Sequence, residues 1–115
     1  MKALITALLI AAPAAASAQV VTDRDAFVAL VEGRSLTQRL LGVDLRVSSD
    51  GQITGGAMGG AVTGSWVWQD RFFCREMAWG SRLFDLNCQA VVLDGDLLRF
   101  TADKGAGDSA ALRIR

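Results

Sequence analysis

The chain contains no histidine and no tyrosine, and its one proline is Pro13. Without histidine, a Ser-His-Asp or Cys-His nucleophilic site is impossible and the common zinc sets lose a donor. Beyond residue 18 lysine occurs once, at Lys104, and every other cation is arginine. Basic and acidic residues number 12 each, so there is no broad field of one sign to attract nucleic acid or an anionic membrane. Cysteine occurs twice, as Cys74 and Cys88, without the CxxC spacing of redox and metal motifs. A length of 115 residues suits one domain.

What is present begins with a leader pattern. Met1-Lys2 supplies a positive end, residues 3–12 are apolar except for Thr6, and Pro13 leads into Ala16-Ser17-Ala18. That order matches a secretory signal with a small-x-small cleavage site. The apolar run is too short to cross a hydrocarbon core of about 30 Å as a helix. No cysteine follows the cleavage position to carry a lipid. The expectation is a signal peptide over 1–18, cleavage before Gln19 (or before Ser17), and a single small β domain over 19–115. The protein is then periplasmic or secreted, with no membrane anchor after cleavage. In an oxidising compartment Cys74 and Cys88 are expected to pair, closing a loop of about 15 residues worth about 3 kcal/mol.

Past the leader, Thr22-Asp23 precedes Ala26, Phe27, Leu30 and Val31. Thr22 or Asp23 can cap a helix, and Phe27, Leu30 and Val31 share one face at i, i+3, i+4. Gly33 is a natural stop. The period then changes to two. Val43, Leu45 and Val47 alternate with Asp44, Arg46 and Ser48, and Asp50-Gly51 signals a hairpin turn. Further strands are expected over 52–58, 61–68, 72–79, 83–93, 97–101 and 109–115. Turns are expected at Gln69-Asp70, Gly80-Ser81-Arg82 and Asp94-Gly95-Asp96, with a loop over 103–108. Short, evenly spaced strands predict a mainly β fold. We expect an antiparallel meander of seven or eight strands forming a small barrel or curved sheet, with one short N-terminal helix and one disulfide. The glycine-rich run 51–64 lacks a P-loop ending and opens no helix. Gly55-Gly56 and Gly59-Gly60 therefore read as a bulge and a tight turn, not as a phosphate cradle.

A direct Cys74–Cys88 pair fixes a hairpin register in which Ala78 faces Phe84 and Glu76 faces Leu86. One face then carries Phe72, Cys74, Ala78, Phe84, Leu86, Cys88, Ala90 and Val92, and reads as core. Glu76 is its exception, either at a rim or as a buried functional acid. The opposite face carries Phe73, Arg75, Met77, Trp79, Asp85, Asn87 and Gln89, joined by Trp66 and Trp68 across the next hairpin. Aromatics beside convergent polar groups line ligand pockets and interfaces. Trp66, Trp68, Phe73, Arg75, Trp79 and Asn87 are the candidate ligand-binding residues. The competing reading is a second packing layer beneath the helix at Phe27 and Leu30. Glu76, Asp70 and Asp85 are the nearest set for acid–base work, and nothing in their spacing demands it. Neither Asp94-Gly95-Asp96 nor Asp103 with Asp108 matches a calcium loop. No catalytic residue, metal or cofactor is expected from the residues alone. The partner is an unidentified small molecule or envelope protein.

Several segments together carry a resemblance: Gly64-Ser65-Trp66-Val67-Trp68-Gln69-Asp70, Phe73-Cys74-Arg75, Asn87-Cys88-Gln89, Leu98-Arg99-Phe100 and Asp103-Lys104-Gly105-Ala106-Gly107. Over nearly the whole of 19–115, including the stretch from Phe27 to Leu36, the chain resembles a group of small exported proteins from alphaproteobacteria related to Rhodobacter. Members of this group often carry the name dihydrodipicolinate reductase. That name implies an NAD(P)H-dependent reductase of lysine biosynthesis. The chain departs from such an enzyme in its length, its export signal, its lack of a βαβ glycine fingerprint and its lack of histidine. The residues favour a non-enzymatic binding module using the aromatic and arginine face, with the reductase as the alternative.

Overall fold

Period-two alternation from Val43 onward gives a run of antiparallel strands that closes on itself. The computed structural model describes residues 17–115. The leader expected over 1–18 therefore lies outside the described residues, apart from Ser17 and Ala18. In chain order the elements are β1 (Gln19–Val21), α1 (Arg24–Val31), β2 (Leu36–Gln38), β3 (Val43–Val47), β4 (Gln52–Ala57), β5 (Gly60–Gln69), β6 (Phe72–Trp79), β7 (Arg82–Asp94), β8 (Leu97–Thr101), a 3-10 turn (Asp103–Gly105) and β9 (Ser109–Ile114). The sheet order is β1-β7-β6-β5-β4-β3-β2-β9-β8, with β8 also paired to β7. Strands β2 to β9 thus form a closed eight-stranded antiparallel barrel. Closure removes the edges that an open sheet would leave to be managed.

The long β7 makes closure possible. Its residues 82–89 pair with β6, while Ala90 to Asp94 pair with β8. Beyond the end of β6, β1 takes over on that side, pairing Gln19, Val20 and Val21 with Leu93, Val92 and Val91. Strands β1 and β2, at three residues each, are the elements the sequence pattern did not reveal.

Helix α1 forms where the capping signal placed it. The Asp23 carboxylate accepts from the Ala26 N–H at 2.8 Å, and Gly33 leaves the helix with a positive φ of 70°. Both ends of the helix grip the β3–β4 turn, residues 48–51. Arg24 donates to the Ser49 carbonyl at 2.6 Å, and the Ser49 N–H donates to the Glu32 carboxylate at 2.8 Å. The helix is thereby fixed across one end of the barrel. Strand connections alternate between the two ends, so residues 39–42, 58–59, 80–81 and 102–108 gather at the other.

Two details of the expected register are corrected. The disulfide pairs Cys74 with Cys88 directly across β6 and β7, as expected. Toward the hairpin tip the register slips by one. Arg75 faces Asn87, but Met77 faces Phe84 and Ala78 faces Leu83, so Asp85 and Leu86 together oppose Glu76. This bulge reverses the side-chain alternation of β7 and shortens the turn to Gly80-Ser81. In the β5–β6 hairpin the turn is Asp70-Arg71, which sets Trp68 against Phe73 and Trp66 against Arg75. A shift of two preserves the face.

The face taken as core is the outer one. Leu86 and Val67, the latter paired with Cys74, are 63% and 59% exposed, whereas Phe73, Trp66 and Val91 are buried. Phe84 leaves the outer set because the bulge turns it inward. Glu76 is exposed, with the Ser65 hydroxyl at 3.4 Å, so the buried-acid reading fails.

Candidate functional site

The inward residues of β6 form a ladder: Phe73, Arg75, Met77, Trp79. Its lowest rung is solid core. Phe27 of α1 is fully buried and inserts its ring among Phe73, Trp68, Trp66 and Phe100, with centroids at 5.0, 5.2, 5.3 and 6.3 Å. These are the separations of favourable offset and edge-to-face aromatic pairs. The Trp66 indole N–H donates to the Ser48 carbonyl at 2.9 Å, and the Arg24 guanidinium lies 5.4 Å over its ring. The Trp68 indole N–H is buried without an acceptor among the described residues. The packing layer beneath the helix, the competing reading of the aromatic face, accounts for Trp66, Trp68 and Phe73.

Above that rung the lumen is open. A cavity of about 550 Å³ extends from Phe73 and Phe100 to the far mouth of the barrel. Its walls are Val43, Leu45, Ile53, Val62, Met77 and Phe84, among other mainly apolar side chains. Eight strands enclose a space that side chains can just fill or that one small ligand can occupy. Here the lower half is filled and the upper half is not. The volume lies within the range of small-molecule sites.

Glycine shapes the wall and the mouth. Gly55 has a φ of 135°, and a Cβ there would strike the Asp44 carbonyl on β3, so close approach of β4 to β3 requires glycine. At Gly60 a Cβ would lie 2.6 Å from the Trp79 indole nitrogen. The missing side chain lets that indole lie against β5 and donate to the Ala57 carbonyl at 2.8 Å. The glycine-rich run is thus strand, turn and packing surface, but Gly55-Gly56 sit in regular pairing with both neighbouring strands instead of a bulge, and the tight turn is Met58-Gly59. Met58 turns the chain with a positive φ of 49°, a conformation uncommon for a bulky residue. Its N–H donates to the Leu41 carbonyl at 2.9 Å, which holds Leu41 and Met58 together at the rim.

Arg75 is the cation of the cavity wall. One guanidinium nitrogen donates to the Asp85 carbonyl in the bulge at 3.0 Å. Among the described residues no carboxylate lies within ion-pair distance of it; the one such pair is Arg113–Asp96. Burial pushes the Arg75 pKa down from its ordinary value, because leaving water penalises the charged form. Gln89, on the neighbouring strand, is buried and lines the same cavity, and Asp108 lies at its rim in the loop before β9.

Of the six candidate residues, Phe73, Arg75 and Trp79 line the cavity. Trp66 and Trp68 lie in the layer below it. Asn87 is engaged elsewhere: its amide donates to the Asp103 carboxylate at 2.8 Å and accepts from the Asp103 N–H at 3.0 Å. That pair fastens the 102–108 loop to the part of β7 that β8 does not reach. Asp70 sits in the β5–β6 turn at the helix end, while Glu76 and Asp85 are exposed on the wall, so the three carboxylates share no concave site. Leu41, Met58, Met77, Phe84 and Gln89 belong to the cavity and were absent from the candidate residues. Met77 and Gln89 lie on the same inward face as Arg75; Phe84 joins it only through the bulge, and the rim pair through the contact between two loops. Compared with known proteins, the chain matches no family model, no curated sequence and no solved structure.

Proposed function

We propose that this chain is an exported binding module that takes a small, largely apolar molecule into the upper half of its barrel. The observation that carries the reading is the half-filled lumen. The same strands that pack solidly around Phe27 leave about 550 Å³ of apolar-walled space above it. A protein with no use for that space would gain stability by filling it, since contacts across an empty lumen are forfeited. The directly paired Cys74 and Cys88 suit an oxidising compartment such as the periplasm, and the leader pattern supports the same location.

The test is titration of the oxidised protein with the neutral apolar dye N-phenyl-1-naphthylamine, beside Met77→Trp, which places an indole in the lumen. Enhanced dye fluorescence with the native protein, lost in the folded variant, is the expected result. Absence of enhancement, or equal enhancement in both proteins, would place the dye elsewhere and end the proposal. NADPH is titrated in parallel. Saturable quenching of tryptophan fluorescence by NADPH would favour the reductase alternative instead.

A further inference from the structure

The cavity wall holds a charge that the fold does not neutralise. Arg75 has five N–H donors, and the bond to the Asp85 carbonyl uses one nitrogen. Arg75 lines a cavity whose other walls are mainly apolar, with Gln89 on the adjoining strand. A partly desolvated cation is costly unless an acceptor completes it, and a guanidinium fork matches two anionic oxygens. Its height in the barrel matters as much as its charge. Arg75 lies one step above the Phe73 floor, and Met77, Trp79 and the Leu41–Met58 rim lie between it and the mouth.

Building on the lumen reading above, we infer that the ligand is an amphiphile with an anionic head, a carboxylate or phosphate monoester. The head enters first and sits at Arg75 beside Gln89, and the apolar tail runs past Met77 and Trp79 to the rim. Asp108 at the rim opposes the reverse orientation, because it would set like charges together.

The experiment is displacement of N-phenyl-1-naphthylamine from the oxidised full-length fold by dodecanoate, dodecyl phosphate, dodecanol and dodecylammonium, each below its self-association range. The expected order places at least one anion ten-fold or more ahead of dodecanol, with dodecylammonium last. The difference between the two anions reports which head the site prefers. In Arg75→Gln the anion-to-alcohol ratio should fall close to one, and Arg75→Lys should restore part of it. Should dodecanol displace the dye as well as both anions do in the native protein, the inference is overturned and Arg75 serves only to clamp the bulge. The lumen reading would survive that outcome. Should none of the four displace the dye, both fall. The native ligand series decides the matter even if Arg75→Gln does not fold.

Discussion

Below the level of Arg75 the barrel is filled by five aromatic rings, one of them brought in by a helix. Above it, walls of the same alternating pattern enclose empty space. The strands are continuous through both halves but carry different residues at each height: β5, β6 and β8 bring Trp66, Trp68, Phe73 and Phe100 to the lower half. Phe27 completes that layer, held there because Arg24 and Glu32 bind the Ser49 backbone. A helix docked at one end converts a through-going lumen into a cup. If, as proposed, the open half binds while the filled half stabilises, substitutions should separate cleanly by height.

The strongest test of that separation is Phe27→Ala. It should cost about 3–5 kcal/mol in urea unfolding, the range for truncating a fully buried aromatic. Met77→Ala, one step into the open half, should cost much less, because it deletes atoms that already border space. Equal losses would erase the division. Next is the disulfide: Cys74→Ser with Cys88→Ser should cost about 3 kcal/mol by releasing the closed loop. Because that pair lies on the outer face, the double variant should retain dye binding per folded molecule. Adding volume sharpens the contrast further. Val91→Phe, at a fully buried position, should destabilise by about 1–3 kcal/mol through overpacking, whereas Met77→Trp should block the dye at small cost. The smallest effect belongs to Asp23→Ala, about 1 kcal/mol from loss of the helix cap, read by the same denaturation.

Which parts were legible in the sequence follows from how local their causes are. The Asp23 cap, the Gly33 stop and the turns at Asp50-Gly51 and Gly95 act within a few residues, and the helix and seven strands follow from them. Strands β1 and β2 are too short to show alternation and exist because β7, β3 and β9 offer partners. The Cys74–Cys88 pairing fixed the register, but register alone does not say which face turns inward. Both faces of β6 and β7 carry apolar residues, so Phe72 and Leu86 on one face competed with Phe73 and Met77 on the other. The curvature that buries one face arises only on closure. The bulge opposite Glu76 was invisible for the same reason, and it moved Phe84 from one set to the other. The aromatic and arginine face is the one that turns inward. Dividing it into floor and cavity required the docking of Phe27, a contact set by the whole barrel.

The three indoles offer the most direct check, because they stand at two heights. Trp66 and Trp68 lie in the filled layer, and Trp79 faces the cavity with its N–H on the Ala57 carbonyl. In a ¹H–¹⁵N spectrum of the oxidised protein titrated with dodecanoate, the Trp79 indole resonance should move progressively and saturate. The Trp66 and Trp68 resonances should stay nearly still. Large shifts at Trp66 or Trp68 with Trp79 unmoved would contradict the account, since the ligand would then occupy the half that Phe27 is held to fill.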